Sequence, residues 1–210
     1  MHKSPLPDFQ GRSGQEGVSV TEPLDATKAD PFAGAPTFSM RNRLERAAFA
    51  FVWLLLASWT PPPLRRWRLW ILRRFGAQLA STANVYGSAR IWLPRNLTMA
   101  PHSTLGPGVQ CYCMAPIRIG CHVVVSQRAH LCCGTHDILD ARFQLRVRPI
   151  EIGDDAWICA ETFVGPGVKV GAGAVLAARA ATFIDLDDWT VYRGNPATAV
   201  KARQQFQRTR

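Results

Sequence analysis

The sequence predicts an all-β fold in which the chain winds into a parallel β-helix. An aliphatic side chain returns at every sixth residue in the second half of the chain, and the residue after it is always small. This period matches neither the two-residue alternation of a strand nor the 3.6-residue turn of a helix. It is the repeat of a hexapeptide β-helix, in which three short faces form each coil and small residues fit beside the corners. The aliphatic positions are Ile119, Val125, Leu131, Ile152, Ile158, Val164, Val170 and Leu176.

The repeat is interrupted within this half of the chain. It stops after His136 and is absent over residues 137–149, so we expect a loop that leaves the β-helix there. A compact residue stands four places after each aliphatic, and Thr135 is one of these. Upstream, a looser version of the pattern starts near Val85. The β-helix domain is therefore predicted over residues 81–190.

Three segments flank this domain. Residues 1–40 mix Pro, Gly, Ser, Asp and Lys without periodicity, which is typical of a disordered leader. Residues 41–80 predict a helical hairpin, because an apolar run at 47–59 is followed by three prolines, which end a helix, and then by Arg pairs alternating with Trp. Residues 191–210 form a basic C-terminal tail in which we expect a short helix.

The helical hairpin has two compatible interpretations. Its apolar run at 47–59 is shorter than the roughly 20 residues that span a bilayer. Basic residues beside Trp and Leu are typical of a helix that lies in a membrane interface. A β-helix must also cover its terminal coil, and a helical pair can do so. The sequence leaves both open: we expect a cytoplasmic protein with a peripheral contact to the inner face of the membrane through residues 41–80.

The net charge of +10 comes mostly from arginine. Such an excess indicates a polyanionic partner: nucleic acid, an anionic membrane or a phosphorylated ligand. The arginines of the N-terminal half flank one apolar segment instead of forming a nucleic-acid-binding module, so no nucleic acid is expected. They are Arg41, Arg43, Arg46, Arg65, Arg66, Arg68, Arg73 and Arg74.

Six cysteines are present, and their spacing is not that of a common zinc site. Most stand at the small-residue positions of the coils, where a thiol behaves as a compact hydrophobe. We therefore expect free thiols in a reducing cytoplasm and no bound metal.

His136 is the first candidate for chemistry, because it is the last residue before the register breaks. A β-helix has flat walls, so a cleft has to be built beside a departure from regularity. Histidine has an ordinary pKa of about 6.5 and can act there as a general base. The alternative is a corner histidine hydrogen-bonded to a loop carbonyl. Trp157, at the equivalent corner after the loop, could line the same cleft or pack against a neighbouring subunit. A nucleophilic pair of His136 with Cys132 or Cys133 is a further option.

Three segments carry a family resemblance: residues 134–137 (Gly-Thr-His-Asp), residues 149–158 around Trp157, and residues 189–197, which end in Gly-Asn-Pro-Ala. Together with the repeat they resemble the hexapeptide-repeat acyltransferases. Within these, the chain is similar to the O-acetyltransferases of sugars and above all to those assigned to colanic acid biosynthesis in exopolysaccharide clusters. The resemblance covers about residues 41–205.

The resemblance implies a left-handed coil, a homotrimer and acetyl-CoA bound between neighbouring subunits. It implies that His136 is catalytic and that the acceptor is contacted by Trp157, Asp137, Tyr112 and Cys113. Cys113 stands where relatives carry an asparagine after the tyrosine. The residues implied for coenzyme binding are Ala160, Ala178, and Lys201 or Arg203 near the phosphates.

The function predicted from sequence is direct transfer of an acetyl group from acetyl-CoA to a saccharide hydroxyl, on an exopolysaccharide or a lipid-linked oligosaccharide intermediate. One alternative is a non-catalytic β-helix that serves as a scaffold or saccharide-binding module. Another is a serine or amino-sugar acetyltransferase on the same scaffold.

Overall fold

The computed structural model describes residues 37–206, so most of the leader predicted over residues 1–40 lies outside the described residues. Two helices come first, α1 (Met40–Leu56) and α2 (Arg65–Arg74), with a single 3₁₀ turn, Pro62–Leu64, between them. All later strands are short, and the chain returns to each of three faces once per coil. The architecture is a parallel β-helix of triangular cross-section preceded by a helical hairpin.

The three faces are parallel sheets that we call A, B and C. Face A consists of β1 (Gln78–Leu79), β4 (Leu97–Met99), β7 (Ile117–Ile119), β12 (Ile150–Ile152) and β15 (Lys169–Val170). Face B consists of β2 (Asn84–Val85), β5 (Thr104–Leu105), β8 (Val124–Val125), β13 (Trp157–Ile158), β16 (Val175–Leu176) and β18 (Thr190–Arg193). Face C consists of β3 (Arg90–Ile91), β6 (Gln110–Tyr112), β9 (His130–Cys132), β14 (Phe163–Val164) and β17 (Ala181–Thr182).

The six-residue repeat builds the core as predicted, because the recurring aliphatics are all buried. Residues in register stack from coil to coil: on face A, Ile119 pairs with Ile152, which pairs with Val170. Each column places similar side chains one strand spacing apart, so they pack on one another along the prism. Backbone hydrogen bonds between coils hold the columns in register, for example from the Gly120 N–H to the Ile152 carbonyl at 2.8 Å.

The edges of the prism turn through left-handed backbone. At the edge between faces A and B, one residue in each coil after the first has a positive φ, and Gly173 (φ +65°) is among these. A Cβ on Gly173 would lie 2.4 Å from the Trp189 ring, so only glycine fits at position 173. The series is His102, His122, Asp155, Gly173 and Trp189.

Side-chain carboxylates also fasten this A–B edge. Asp154 Oδ1 accepts a hydrogen bond from the Cys121 N–H, and Asp188 Oδ1 accepts one from the Ala172 N–H, both at 2.7 Å. Each bond joins one coil to the next, so these aspartates stabilise the winding.

The helical hairpin covers the first coil. Phe49 and Trp53 of α1 and Leu72 of α2 are buried in the same core as the coils. The Trp53 indole N–H donates to the Gly87 carbonyl at 3.1 Å. The capping role left open by the sequence is therefore present in the structure. None of the described helices has the length and apolarity to cross a membrane.

Arg68 joins the hairpin to the β-helix. Its guanidinium is fully buried and donates to carbonyls of three consecutive residues in the link between the helices and to one carbonyl on the first coil. The acceptors are the carbonyls of Thr60 (3.2 Å), Pro61 (2.8 Å), Pro62 (3.0 Å) and Val85 (2.6 Å), and the Thr60 hydroxyl (2.9 Å).

The prediction of a short C-terminal helix is wrong within the described residues. The chain reverses at residues 194–197 and forms β19 (Thr198–Ala202), which pairs antiparallel with β18. The last parallel strand has unpaired backbone groups on its outer edge, and a returning strand satisfies them better than a helix would.

The segment predicted as a loop at 137–149 contains regular structure. Strand β10 (Gly134–His136) pairs antiparallel with β11 (Leu145–Val147), so a β-hairpin leaves the edge between faces C and A. Thr135, which fitted the repeat, lies in this hairpin and is exposed. We call residues 134–147 the extruded hairpin.

The Arg68 contacts predict an effect on stability. Replacing Arg68 with Ala leaves several buried carbonyls without donors, so the free energy of unfolding should fall by about 3 kcal/mol or more. Urea unfolding of the full chain, followed by circular dichroism, measures this. Arg66→Ala, at an exposed position two residues earlier in α2, is the matched control. Equal denaturation midpoints for the two variants would contradict the assignment.

Candidate active site on the extruded hairpin

His136 occupies the end of strand β10, and its ring is exposed. The ring stacks on Phe143 across the hairpin, with centroids 4.4 Å apart and planes inclined by 6°. Its Nδ1 lies 2.8 Å from the Phe143 carbonyl oxygen. A carbonyl only accepts hydrogen bonds, so Nδ1 carries the proton in the neutral ring. Nε2 then has a free lone pair directed away from the hairpin backbone. The hydrogen bond to a loop carbonyl, which the sequence left open as the alternative role of His136, is therefore present. It leaves Nε2 free to accept a proton.

Asp137 fastens the turn of the hairpin. Its Oδ1 accepts from the Leu139 N–H at 3.1 Å, and its Oδ2 accepts from Arg146 at 3.0 Å. The N–H of Leu139 and then the Arg146 guanidinium hold the pKa of this carboxyl below its usual value. Both oxygens already have partners within the hairpin, so an acceptor contact by Asp137 stays a prediction.

The neighbouring cysteines are unsuited to nucleophilic work. Cys132 donates its S–H to the Gly134 carbonyl at 3.3 Å, and burial raises the pKa of its thiol. Burial also raises the pKa of the Cys133 thiol, which lies in the core. A raised pKa disfavours the thiolate, which is the reactive form.

Tyr112 and Cys113 point in opposite directions. The Tyr112 side chain is exposed on face C, beside the base of the extruded hairpin at Gly134. Cys113 is fully buried, accepting from the Leu93 N–H and donating to the Leu93 carbonyl through Sγ. The implied contact of Cys113 with an acceptor is therefore wrong for this structure, because side chains alternate along the chain and position 113 falls on the inside.

An aromatic column on face C was not anticipated from the sequence. Tyr112 lies in edge-on contact with Trp92 (5.9 Å between centroids) and His130 (6.4 Å), and His130 contacts Phe163 (5.3 Å). Burial lowers the pKa of His130, which favours the neutral form of its ring. The sequence signal for this column is an aromatic ring that returns at an outward position of face C in successive coils. It is harder to see than the inward aliphatic repeat.

Trp157 lies on a different edge from His136. It starts face B beside the A–B edge, is partly exposed, and donates its indole N–H to Ser126 Oγ at 2.9 Å. His136 extends from the C–A edge, across the prism. One chain does not bring the two together.

The residues implied for coenzyme binding are also distributed over two edges. Ala160 and Ala178 stand at the edge between faces B and C, one coil apart, since the Arg179 N–H bonds the Ala160 carbonyl. Arg203 instead donates to the Asp155 and Gly173 carbonyls at 3.0 and 2.9 Å, at the A–B edge. Its guanidinium also lies over the rings of Trp189 and Phe206, so it is committed to the fold. Lys201 is exposed on β19. Over residues 37–206, no three His, Cys, Asp or Glu side chains group to hold a metal ion.

The fold and the histidine-bearing hairpin define a class, the hexapeptide-repeat acyltransferases. No family model matches the chain. A crystal structure of a hexapeptide-repeat acetyltransferase from Vibrio cholerae has a TM-score of 0.71 at 23% identity, covering 80% of this chain and 95% of that one. The same V. cholerae protein has been solved with acetyl-CoA. A maltose O-acetyltransferase from Clostridium difficile 630 has a TM-score of 0.70 at 22% identity, covering 80% and 90%. At these identities the likeness shows the fold.

A sequence relative defines the family more narrowly. The chain is 38% identical over 146 residues to the "Putative colanic acid biosynthesis acetyltransferase WcaF" of Escherichia coli K12, a match that covers 70% of this chain and 80% of that protein. The chain belongs to this family of hexapeptide-repeat acetyltransferases, as its motifs indicated.

The contact of His136 with Phe143 predicts a defined tautomer. At alkaline pH, the neutral His136 ring should be protonated at Nδ1 and bare at Nε2. Nitrogen-15 NMR of protein labelled in histidine distinguishes the two, and a His136→Gln sample identifies the resonance. A bare Nδ1 would show that the hydrogen bond to the carbonyl is not made.

Proposed function

We propose that the protein transfers an acetyl group from acetyl-CoA directly to a hydroxyl of a saccharide, with His136 as the general base. The observation that carries this proposal is the bond from Nδ1 to the Phe143 carbonyl, which leaves Nε2 unprotonated on an exposed hairpin. The membership in an acetyltransferase family and the acetyl-CoA complex of the V. cholerae neighbour support the donor.

In the proposed step, Nε2 of His136 takes the proton of the acceptor hydroxyl as its oxygen attacks the thioester carbonyl. The new ester C–O bond forms, the C–S bond breaks, and CoA leaves as a thiolate that takes up the proton from the imidazolium. Backbone N–H groups at a coil edge would stabilise the oxyanion, an effect of about 3 to 4 kcal/mol per well-placed donor. The thiolate is a good leaving group, so no acyl-enzyme is needed.

We propose that the active site is shared by two subunits of a homotrimer. His136 at the C–A edge and Trp157 beside the A–B edge can line one cleft only if they come from neighbouring chains. The extruded hairpin also exposes Ile138 and Leu139 at its turn, to 77% and 90%, and such apolar side chains are suited to cover a neighbouring subunit.

Ala160 and Ala178 would face the coenzyme along the B–C edge, where their small side chains leave the backbone accessible. Of the two basic residues implied for the CoA phosphates, Lys201 is the better candidate, because its ammonium is exposed. Arg203 has its guanidinium bound to backbone carbonyls and would have to release them.

The acceptor that we propose is a saccharide of exopolysaccharide synthesis, either the polymer or a lipid-linked oligosaccharide. The name of the E. coli relative and the maltose-modifying neighbour support a sugar. We place the reaction in the cytoplasm, on the inner face of the membrane, with residues 41–80 in peripheral contact with lipid. Tyr112 and the aromatic column on face C would contribute the apolar surface on which a sugar ring rests, since the electron-rich ring faces attract its polarised C–H groups.

Removing the base tests the chemistry. His136→Ala should lower acceptor-dependent CoA release by about a hundredfold or more, because the hydroxyl loses its general base. A thiol reagent measures the CoA released with acetyl-CoA and a panel of oligosaccharides. His122→Ala, at the A–B edge of the coil that leads into the extruded hairpin, should retain wild-type turnover. Undiminished turnover by His136→Ala would exclude the proposed role.

Subunit mixing tests the shared site. His136→Ala and Trp157→Ala proteins should each be inactive or strongly impaired alone. After co-refolding in equal amounts, about a quarter of the sites of a cyclic trimer combine an intact histidine with an intact tryptophan, so activity should recover to about a quarter of wild type. Recovery does not occur if both residues of a site come from one chain, and mass photometry of the mixture verifies that mixed trimers have formed.

A further inference from the structure

Helix α1 is apolar on two opposite faces. Phe49 and Trp53 face the core, where they cover the first coil. The opposite side exposes a stripe with helical spacing, and Phe51 and Leu54 are 64% and 65% exposed in it. A helix that only caps a β-helix would carry polar residues on its outer face, and one that is apolar all round is normally covered on both sides. The exposed stripe consists of Met40, Leu44, Ala47, Phe51, Leu54 and Leu55.

The exposed apolar surface continues around the turn of the hairpin. Trp59, in the link between the helices, is 70% exposed. Trp67 and Trp70 of α2 are also exposed and stack with their centroids 5.1 Å apart and their planes at 11°. We define the tip surface as Leu54, Leu55, Leu56, Trp59, Leu64, Trp67 and Trp70.

The backbone at this tip is satisfied from within. The last four carbonyls of a helix have no partner inside the helix and are usually left to water. In α1, all four accept hydrogen bonds from nearby groups, two of them from tryptophan indoles. The pairs are Trp53 O with the N–H groups of Ala57 and Ser58 (2.9 Å each), Leu54 O with Ser58 Oγ (2.9 Å), Leu55 O with Trp59 Nε1 (2.8 Å) and Leu56 O with Trp67 Nε1 (2.8 Å).

This arrangement is what an apolar surrounding requires. Inside a bilayer no water is available, so every backbone polar group has to be paired internally. The indoles of Trp59 and Trp67 direct their N–H groups at carbonyls and present carbon to the outside. Residues 61–63 are prolines, which have no N–H to leave unpaired.

The charge along the exposed side of the helical hairpin fits a lipid and opposes a second copy of the chain. Arg41, Arg43 and Arg66 are exposed, and within the described part of the chain their guanidinium groups have no hydrogen-bond or ion-pair partner. Arg74 lies over the Trp70 ring, 5.3 Å from its centroid. Two such surfaces facing each other would bring like charges together, whereas anionic headgroups complement them.

We propose that the tip surface inserts into the boundary between headgroups and acyl chains of a membrane that contains anionic lipid. The Trp and Leu side chains enter to a depth of about 5–10 Å, and Arg41, Arg43, Arg66 and Arg74 contact lipid phosphates. This inference rests on, and makes specific, the membrane contact of the proposed function. It fixes the enzyme with the first coil towards the membrane, so a lipid-linked acceptor would approach the hairpin from that end.

Flotation with vesicles tests the insertion. The full chain should float with phosphatidylcholine vesicles that contain phosphatidylglycerol and much less with phosphatidylcholine alone. Leu54→Gln/Leu55→Gln, at exposed positions, should weaken binding at least about tenfold, because two apolar side chains no longer leave water. The matched control is Phe183→Gln/Ile184→Gln, an exposed apolar pair on a distant coil, which should float like wild type.

A second measurement reports depth. Lipids brominated on the acyl chains should quench part of the tryptophan fluorescence of the bound protein, and Trp59→Phe should reduce the quenched fraction. Trp189→Phe, at the other end of the prism, should not lower the quenched fraction, because it removes a tryptophan that the lipid does not reach.

The remaining outcomes overturn the proposal. The tip surface is not a membrane surface if wild type does not float, or if both double variants float equally. A loss of trimers by Leu54→Gln/Leu55→Gln, seen by light scattering, would assign the surface to a second copy instead. CoA release with a soluble acceptor, measured on the same proteins, separates these results from a failure of acetyl transfer. Loss of flotation with normal CoA release would overturn only the membrane proposal. Loss of CoA release with normal flotation would overturn only the proposed reaction.

Discussion

The coil geometry is the constraint on which the rest of this protein depends. In the regular coils each strand is only two or three residues long, and its backbone is bonded to the neighbouring coils. One inward aliphatic per face fills the prism, so little of a regular coil is free to form a cleft. Functional groups must come from the edges or from segments that leave the helix. The extruded hairpin is the main departure of this kind, and it presents the histidine.

Within that hairpin, one hydrogen bond connects architecture to chemistry. The carbonyl of Phe143 assigns the proton of His136 to Nδ1, and stacking on the Phe143 ring restricts the rotation of the imidazole. The Asp137 carboxylate, bonded to the Leu139 N–H and to Arg146, closes the turn that positions Phe143. The imidazole is thus oriented by its own hairpin, and in the proposed site a neighbouring chain supplies the opposite wall of the cleft.

Two groups of arginines in the helical hairpin differ in their contacts. Arg68 is fully buried on carbonyls, and Arg65 and Arg73 donate to carbonyls of the first coil. These residues join the helical hairpin to the β-helix. A second group along the hairpin, Arg41, Arg43, Arg66 and Arg74, is exposed, so only a fraction of the positive charge is available to a partner. The net charge therefore overstates how much positive charge is available to an anionic partner. The position of each arginine is the better guide.

The period of six was sufficient to predict the parallel β-helix, its buried aliphatics and the break at which His136 stands, because each is a local property of the repeat. The repeat could not assign direction where it ends: Thr135 fitted the pattern yet lies in the hairpin, and Cys113 is turned into the core. The tail pairs as a strand because β18 offers it an open edge, a partner far from the tail's own pattern. Arg203 and Trp157 were placed by contacts between coils, which depend on how many residues each coil holds. Such contacts arise only after the chain has wound. Only the three-dimensional structure therefore shows that His136 and Trp157 of one chain lie at different edges.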